Sequence, residues 1–311
     1  MSETPIISVV MPVYNAEKYV AEAVESILNQ TFSDFEFLIV NDGSSDGSLA
    51  ILKRYAEKDR RIRLISRPNT GLVVALNEML SKSKGEFLAR MDADDIALPD
   101  RFARQVEFLQ RESDVVCVGG ARELIDEEGR TLTYIEDPEH NDRIQELLLA
   151  GHSCICHPSA MIRRSALLKV GGYDESMHPA EDLDLWLRLG EVGKLANLKD
   201  KVVKYRLHQN SASEQNQTLQ RNNAQRACER AWQRRGIEGR YENTESWRPG
   251  ADRTSRHHFM LRYGWWAFNS GQRQTAIVYG TRAIAALPFA VEGWKLLACG
   301  LIKPLPKSDS K

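Results

Sequence analysis

The chain has 311 residues, of which 42% are hydrophobic and 27% are charged; this composition is typical of a soluble globular protein and excludes disorder for most of the length. The length exceeds the ~150 residues of an average domain, so we expect one large α/β domain with an appendage. The net charge of −1 divides unevenly, because residues 1–213 carry a net −9 and residues 214–311 a net +8.

Short β-rich runs alternate with amphipathic helical stretches from residue 6 onward. The predicted strands are Ile6 to Met11, Phe35 to Val40, Ile62 to Ser66, Glu86 to Arg90 and Val115 to Gly119. The predicted helices are Glu17 to Asn29, Asp46 to Lys58, Leu72 to Ser81 and Pro99 to Gln110. This alternation indicates a Rossmann-like, mostly parallel sheet with flanking helices.

The alternation weakens after residue 120. The later predicted elements are a hairpin strand Arg130 to Ile135, helices Ile144 to Leu149 and Asp182 to Glu191, and a strand Val202 to Leu207. From Glu214 onward the pattern is helical, with linker-like residues at 236–250 and five of the six tryptophans. We therefore predict a domain over 1–213, divided near residue 120, and a basic, Trp-rich helical extension over 214–311.

The basic extension has two interpretations. It either contacts an anionic membrane surface or docks as a helical hairpin on the acidic domain. The most apolar stretch, Ala283 to Ile302, is interrupted by Pro288, Glu292 and Lys295, so no transmembrane span is expected. An odd number of cysteines without a visible signal peptide predicts a cytoplasmic protein, with a possible peripheral position at the inner face of the membrane.

Polar side chains follow each predicted strand of the sheet, where ligands of open parallel sheets bind. The turn from Asp42 to Gly47 is neither a G-x-G-x-x-G nor a Walker motif, which disfavours hydride transfer and P-loop chemistry. A fixed carboxylate at Asp42 can accept hydrogen bonds from a nucleobase N–H or a ribose hydroxyl. The alternative is a turn-forming Asp, with Asp46 capping the next helix.

The loop after the fourth predicted strand carries Asp92, Asp94 and Asp95 within four residues. These carboxylates repel one another unless a cation or a proton intervenes. Mg²⁺ or Mn²⁺ prefers carboxylate and phosphate oxygens and can bridge the protein to a diphosphate. A solvated turn with Asp95 or Asp100 as a helix cap accounts for some of these acids, but not for Asp92 and Asp94 together.

Several ordered motifs over about residues 6–210 resemble family 2 glycosyltransferases of the GT-A fold. They are Ser8-Val9-Val10-Met11-Pro12-Val13-Tyr14-Asn15, Val40-Asn41-Asp42-Gly43-Ser44, Asn69-x-Gly71 with Asn77, and Arg90-Met91-Asp92-Ala93-Asp94-Asp95. The resemblance implies a nucleotide-sugar half at 6–120 and an acceptor half at 121–213. It also implies donor contacts at Pro12, Tyr14, Asn15, Glu17, Asp42, Asn69, Asn77, Arg90 and Asp92, and a metal site at Asp94 and Asp92.

The resemblance further implies a catalytic base at Asp182, with Glu181 as the fallback, at the start of a helix where acids also favour the helix dipole. His208 follows the last predicted strand and resembles a residue that completes the metal site. The sequence departs from the family at one position: many relatives carry Arg immediately before the helix Asn, whereas here Leu76 precedes Asn77. Arg67 or Arg90 would have to supply the missing positive charge.

The expected activity is metal-dependent inverting transfer from a nucleoside diphosphate sugar, with UDP favoured, to a hydroxyl of a glycan or lipid-linked acceptor. The expected cofactor is Mn²⁺ or Mg²⁺, and nucleic acid is not an expected partner. Two alternatives are a catalytically silent sugar-nucleotide or carbohydrate-binding module and a nucleotidyltransferase. The latter also uses paired Asp residues, but a Gly-rich basic fingerprint is missing near the first strand.

Overall fold

The structure is a computed structural model that describes residues 4–208, 217–243 and 252–306. The chain divides into two compact units. The first comprises Met1–Arg122, Glu136–Tyr205 and Asn216–Asn243, and the second comprises Glu123–Ile135, Arg206–Gln215 and Thr244–Lys311. Each unit is built from segments distant in the sequence, so neither corresponds to one continuous stretch of chain.

The regular elements follow in chain order. The strands are β1 Ile7–Val13, β2 Phe35–Asp42, β3 Ile62–Arg67, β4 Phe87–Arg90, β5 Ile96–Ala97, β6 Val115–Ile125, β7 Thr131–Ile135, β8 Met161–Arg163 and β9 Lys194–Arg206. The helices are α1 Val20–Leu28, α2 Ser48–Lys58, α3 Leu72–Lys82, α4 Arg101–Arg111, α5 Asn141–Leu149, α6 Arg164–Lys169, α7 Glu181–Leu189, α8 Gln217–Arg235, α9 Arg253–Asn269, α10 Arg273–Ala286 and α11 Val291–Ile302.

The sheet runs in the order β3-β2-β1-β4-β8-β6-β9-β5, and β7 pairs with β6. The pairs β1 with β2, β1 with β4 and β2 with β3 are parallel, whereas β8 is antiparallel to both β4 and β6. The predicted α/β fold is confirmed. The sheet is mixed, however, because β3, β2, β1 and β4 are parallel to one another whereas β8 is antiparallel to both of its neighbours.

Alternating residues of β2 face two different cores. Leu38 and Val40 belong to one apolar cluster, and Phe37 and Ile39 belong to the other. Helices therefore cover both faces of the sheet, which is why its strands read as nearly continuous apolar runs. The carboxyl ends of the parallel strands carry the polar residues selected from the sequence.

Helix α8 packs on the first unit through small side chains on one face. Ala224, Ala227, Cys228 and Ala231 recur at helical spacing and join its larger apolar cluster, as expected for a face at i, i+3, i+4 and i+7. Its arginines bind that unit too, because Arg234 bonds Glu191 at 2.9 Å. Part of the basic extension thus docks on the acidic domain.

The second unit contains α9, α10 and α11 together with β7. Its helices approach closely at glycines. A Cβ atom at Gly280 would lie 2.9 Å from the backbone nitrogen of Leu297, so a larger residue there would push the two helices, α10 and α11, apart. Asp126 organises the hairpin before β7 by accepting hydrogen bonds from Arg130 Nε at 2.7 Å and the Tyr279 hydroxyl at 3.1 Å.

The compact units differ from the predicted division after residue 213, because α8 lies in the first unit and the hairpin with β7 lies in the second. The prediction of helices beyond Glu214 is confirmed for α8 to α11. Residues 214–216, 244–251 and 307–311 of the predicted extension lie outside the described residues. None of the described helices has the length and apolarity needed to cross a bilayer.

Candidate active site

The loops after β1 and β2 are tied together by side chains. Asn15 adopts a φ of 48° and its Oδ1 accepts a hydrogen bond from the Ser45 nitrogen at 2.8 Å. Glu17 Oε2 accepts from the Gly47 nitrogen at 2.9 Å, while Asp46 Oδ2 accepts from the Glu17 nitrogen at 2.9 Å. Asn15 and Glu17, predicted to contact the donor, thus brace the loop that follows β2. Their contact with a donor stays a prediction.

Two further predicted donor residues lie at the end of β1. Pro12 pairs with Val40 of β2, but the pairing of β1 with β4 ends at Val10. Proline has no N–H to donate, but Pro12 lies beyond the last residue of β1 that pairs with β4. No hydrogen bond between these two strands is therefore lost. Tyr14 is 57% exposed, so its ring is open to stacking on a base.

The Asp42 carboxylate is buried and held by three donors. It accepts hydrogen bonds from the backbone nitrogens of Thr70 at 3.0 Å and Gly71 at 2.9 Å, and it pairs with the Arg67 guanidinium. Asn69, in the same turn, is exposed. Two donors occupy Oδ1 and one occupies Oδ2, so a single acceptor position remains on Oδ2 of Asp42.

The acidic loop after β4 brings three carboxylates together. One oxygen from each of Asp92, Asp94 and Asp95 lies within 4.8 Å of the others, which makes the group able to hold a metal ion. Buried Arg90 forms an ion pair with Asp92. Burial raises the pKa of Asp92 and Asp94 acts in the same direction, whereas the Arg90 charge opposes them. A hard divalent cation fits this all-oxygen set.

Two buried polar residues of α4 position the acidic loop, and the sequence analysis did not find them. Arg101 Nη2 donates to the carbonyl oxygen of Arg90 at 2.8 Å and to that of Ala160 at 3.3 Å. Gln105 Nε2 donates to the Ser159 oxygen at 2.7 Å. Burial lowers the pKa of Arg101 to about 9. The sequence does contain an indication of this role, because Arg101 and Gln105 form a polar pair at i, i+4 beside the apolar face of α4.

Helix α7 begins with two carboxylates in different surroundings. Glu181 is 5% exposed, and its Oε2 lies 3.0 Å from His178 Nδ1. Asp182 is half-buried; its Oδ1 accepts from the Leu183 nitrogen at 2.8 Å and its Oδ2 from the Ser153 hydroxyl at 3.4 Å. Burial raises the pKa of Asp182 to about 6, and the Glu181 charge adds to the effect. Of the two acids, Asp182 is therefore better suited to accept a proton near neutral pH.

Asn77 clamps the turn that contains Gly172. Its Nδ2 donates to the Tyr173 oxygen, and its Oδ1 accepts from the Tyr173 nitrogen, both at 2.9 Å. Gly172 has a φ of 74°. The Tyr173 hydroxyl lies 2.9 Å from His157 Nε2, and burial holds the pKa of His157 well below its usual range. Asn77 therefore has a structural role, and its predicted donor contact stays a prediction.

His208 belongs to the second unit, where it lines a cavity with Leu207 and helical residues. The group of potential metal ligands described for the acidic loop consists of the three aspartates. Coordination by His208 stays a prediction.

Comparison with known proteins gives the class and the family of this chain. The model of glycosyl transferase family 2 matches residues 8–171. The O-antigen biosynthesis glycosyltransferase WbnJ of Escherichia coli is 37% identical over 210 residues, which cover 66% of this chain and 81% of WbnJ. The chain belongs to glycosyl transferase family 2 and is a glycosyltransferase.

Solved structures share the fold at low sequence identity. The mannosyltransferase PcManGT of Pyrobaculum calidifontis, in complex with GDP-Man and Mn²⁺, gives a TM-score of 0.55 at 18% identity, covering 96% of this chain and 80% of its own. TarS 1-349 of S. aureus, in complex with UDP-GlcNAc, gives a TM-score of 0.54 at 17% identity, covering 95% and 79%. These similarities confirm the GT-A fold.

Proposed function

We propose that this protein transfers a sugar, with inversion, from a UDP-sugar to a hydroxyl of a glycan or lipid-linked acceptor during surface polysaccharide assembly. One observation carries the proposal: the acidic loop and the start of α7 share one electrostatic environment. Burial raises the pKa of both Asp92 and Asp182; the Glu181 charge adds to both shifts, and the Arg90 charge opposes both. These shared influences support the proposal that a metal-binding group and a candidate base belong to one site.

The acidic loop would hold Mn²⁺ or Mg²⁺, with Asp94 and Asp92 as the proposed ligands. Arg90 already offsets part of the charge on Asp92, and a cation would relieve the remaining repulsion among the carboxylates. When bound, the ion would offset negative charge on the departing nucleoside diphosphate. His208 is proposed as a further ligand, and weaker Mn²⁺ binding by His208→Ala, measured by calorimetry, would support it.

Asp42 is proposed to recognise the nucleobase. Its carboxylate is fixed by Thr70 and Gly71, so it can accept a hydrogen bond from a ring N–H without reorganising. Tyr14 supplies an exposed ring for stacking. Asn15 and Glu17 would act mainly by holding this pocket in shape.

Asp182 is the proposed base, which removes the proton of the acceptor hydroxyl as that oxygen attacks the anomeric carbon. Attack on the face opposite the leaving diphosphate inverts the configuration. With a pKa of about 6, the carboxylate is mostly ionised at neutral pH yet more basic than an ordinary Asp. The hydrogen bond from Leu183 fixes the direction of Oδ1.

The relatives support the substrate class. WbnJ is an O-antigen biosynthesis enzyme, and the two structures hold UDP-GlcNAc and GDP-Man. A carbohydrate acceptor, rather than nucleic acid, is therefore proposed.

Donor hydrolysis tests the proposal before the acceptor is known. The purified chain is incubated with Mn²⁺ and a panel of UDP-, GDP- and dTDP-sugars, and release of the nucleoside diphosphate is measured. UDP-sugars should be consumed by the wild type and by Asp100→Asn, because Asp100 is exposed and bonds Thr31. Asp94→Asn should be inactive. Equal activity of Asp94→Asn and Asp100→Asn would contradict the proposed metal site.

A peripheral contact with anionic membrane is also proposed, through an apolar surface around α11. Its members are exposed hydrophobic residues of the second unit: Phe289, Val291, Trp294, Leu301 and Ile302. Val291, Trp294 and Leu301 follow helical spacing, and Phe289 is 100% exposed. Exposed Lys295 and Lys303 flank this surface, so it combines apolar side chains with positive charge, as membrane-surface helices do.

Flotation with vesicles tests this contact. The wild type should float with phosphatidylglycerol vesicles and remain unbound with phosphatidylcholine vesicles. The double variant Trp294→Ser/Leu301→Ser should lose binding while keeping the circular dichroism of the wild type. If the variant instead only abolishes self-association measured by light scattering, the surface joins two copies of the chain and the membrane proposal is wrong.

A further inference from the structure

The second unit contains a cavity of about 480 Å³, and apart from His208 none of its lining residues takes part in the proposed transfer reaction. Its volume lies within the range of roughly 300–1,000 Å³ that is usual for small-molecule sites. All of its lining residues belong to the second unit. They come from the hairpin before β7, from the segment after β9, and from α9 and α10.

The walls of the cavity are mainly apolar and aromatic. Phe259 and Tyr279 line it although they are only 7% and 5% exposed to solvent. The rings of Tyr263 and Tyr279 meet edge to face at 5.6 Å. The Tyr279 hydroxyl is already bonded to Asp126 at 3.1 Å, so this ring presents its carbon surface to the cavity. Met260 and Leu207 add further apolar lining.

Part of the cavity lining is cationic. Arg253 and Arg256 line it and are exposed, and neither guanidinium forms an ion pair within the ranges that the structure describes. Arg282 also lines the cavity; its guanidinium lies 5.2 Å from the Tyr279 ring centroid and 3.3 Å from Glu128 Oε1. Glu127 is the single acidic residue of the lining. Because Arg282 is paired with Glu128, Arg253 and Arg256 together with Glu127 leave a net positive charge in the lining.

We propose that this cavity binds a phosphate-bearing lipid, with the phosphate at the arginines and the hydrocarbon chain against the aromatic wall. Guanidinium groups bind phosphate oxygens in pairs of parallel hydrogen bonds. A phosphomonoester carries about −1.5 to −2 charges at neutral pH, which matches several arginines better than the single charge of a fatty acid. A neutral sugar would find one carboxylate and a largely apolar wall, which leaves most of its hydroxyls without acceptors.

Calorimetry on the full chain tests the proposal, and it does not depend on glycosyl transfer. The probes are dihexanoyl phosphatidic acid, geranyl diphosphate, dihexanoyl phosphatidylcholine, decanoate and inorganic phosphate, each below its micelle concentration. Dihexanoyl phosphatidic acid, geranyl diphosphate or both should bind at least tenfold more tightly than dihexanoyl phosphatidylcholine, decanoate and inorganic phosphate. Tighter binding of phosphatidic acid would identify a membrane phospholipid, and tighter binding of geranyl diphosphate an isoprenoid phosphate.

Three variants complete the design. Arg253→Gln/Arg256→Gln should weaken phosphate-lipid binding by about tenfold or more, since the charge-assisted hydrogen bonds to the phosphate are lost. Ala286→Trp should block the chain sterically, which keeps the test informative if the double variant folds poorly. Arg240→Gln, an exposed arginine of the first unit, is the matched control and should bind like the wild type. The absence of binding, an unchanged affinity in both cavity variants, or equal affinity for decanoate would overturn the proposal.

Discussion

Asp182→Asn should greatly slow transfer while making the folded protein more stable. The Asp182 carboxylate has a pKa of about 6 in the folded chain, against the ordinary value of 3.8 for an Asp. Each pKa unit corresponds to about 1.36 kcal/mol, so ionised Asp182 destabilises the fold by at most ~3 kcal/mol. Because the side chain keeps partial contact with water, screening reduces this to about 1–2 kcal/mol.

The sign of the pH dependence follows from the raised pKa. Between pH 3.8 and about 6 the folded state holds a proton that the unfolded state has released, so stability falls as the pH rises through this window. The advantage of Asp182→Asn should therefore be complete above pH 6 and shrink as the pH approaches 3.8. At pH 8 the melting temperature should rise by roughly 2–8 °C, from about 2–4 °C per kcal/mol.

Thermal melts at pH 8 and pH 4.5, together with nucleoside diphosphate release at pH 7.5, measure both effects. Turnover should fall by about 10² to 10⁴, the usual contribution of a general base. Asp184→Asn is the matched control on α7, because Asp184 is buried and its Oδ2 lies 2.6 Å from Arg188 Nη2. That variant should lose stability by about 3 kcal/mol. Wild-type turnover in Asp182→Asn, or a lower melting temperature at pH 8, would refute the assignment of the base.

Three further outcomes are expected. Asp42→Ala should weaken UDP binding by about 10- to 100-fold through loss of a charged hydrogen-bond acceptor, measured by calorimetry; an unchanged dissociation constant would argue against base recognition. Removal of metal with EDTA should abolish donor hydrolysis and Mn²⁺ should restore it in the wild type but not in Asp94→Asn; metal-independent activity would contradict the mechanism. Arg101→Met should weaken Mn²⁺ binding, since the carbonyl of Arg90 loses its donor; unaltered affinity would show that Arg101 does not position the loop.

The sequence predicted the parallel half of the sheet well, because its strands are buried on both faces and its helices are amphipathic. It did not predict the short strand β8, since three residues carry too few positions to show a period. The long β9 was predicted only over its final residues because Lys199, Asp200 and Lys201 interrupt its apolar pattern. Such polar interruptions are tolerated where a strand is exposed.

The acids of the site were selected from the sequence, but their individual roles depended on neighbours that are distant in the chain. Glu181 and Asp182 are adjacent and chemically alike, and only His178 and Ser153 separate their environments. The support that Arg101 gives to the acidic loop arises from tertiary packing across 11 residues to Arg90 and 59 residues to Ala160. Local patterns do not encode such pairings.

The docking of α8 bears on how a shorter catalytic fragment should be cut. A fragment ending near residue 213 would remove the helix whose Ala227 and Cys228 complete the apolar cluster, and it would leave Asp174 and Glu191 without Arg230 and Arg234. Such a fragment would expose the apolar surface that α8 covers and would tend to aggregate during expression. A boundary after Asn243, the last residue of the first unit, keeps that face covered.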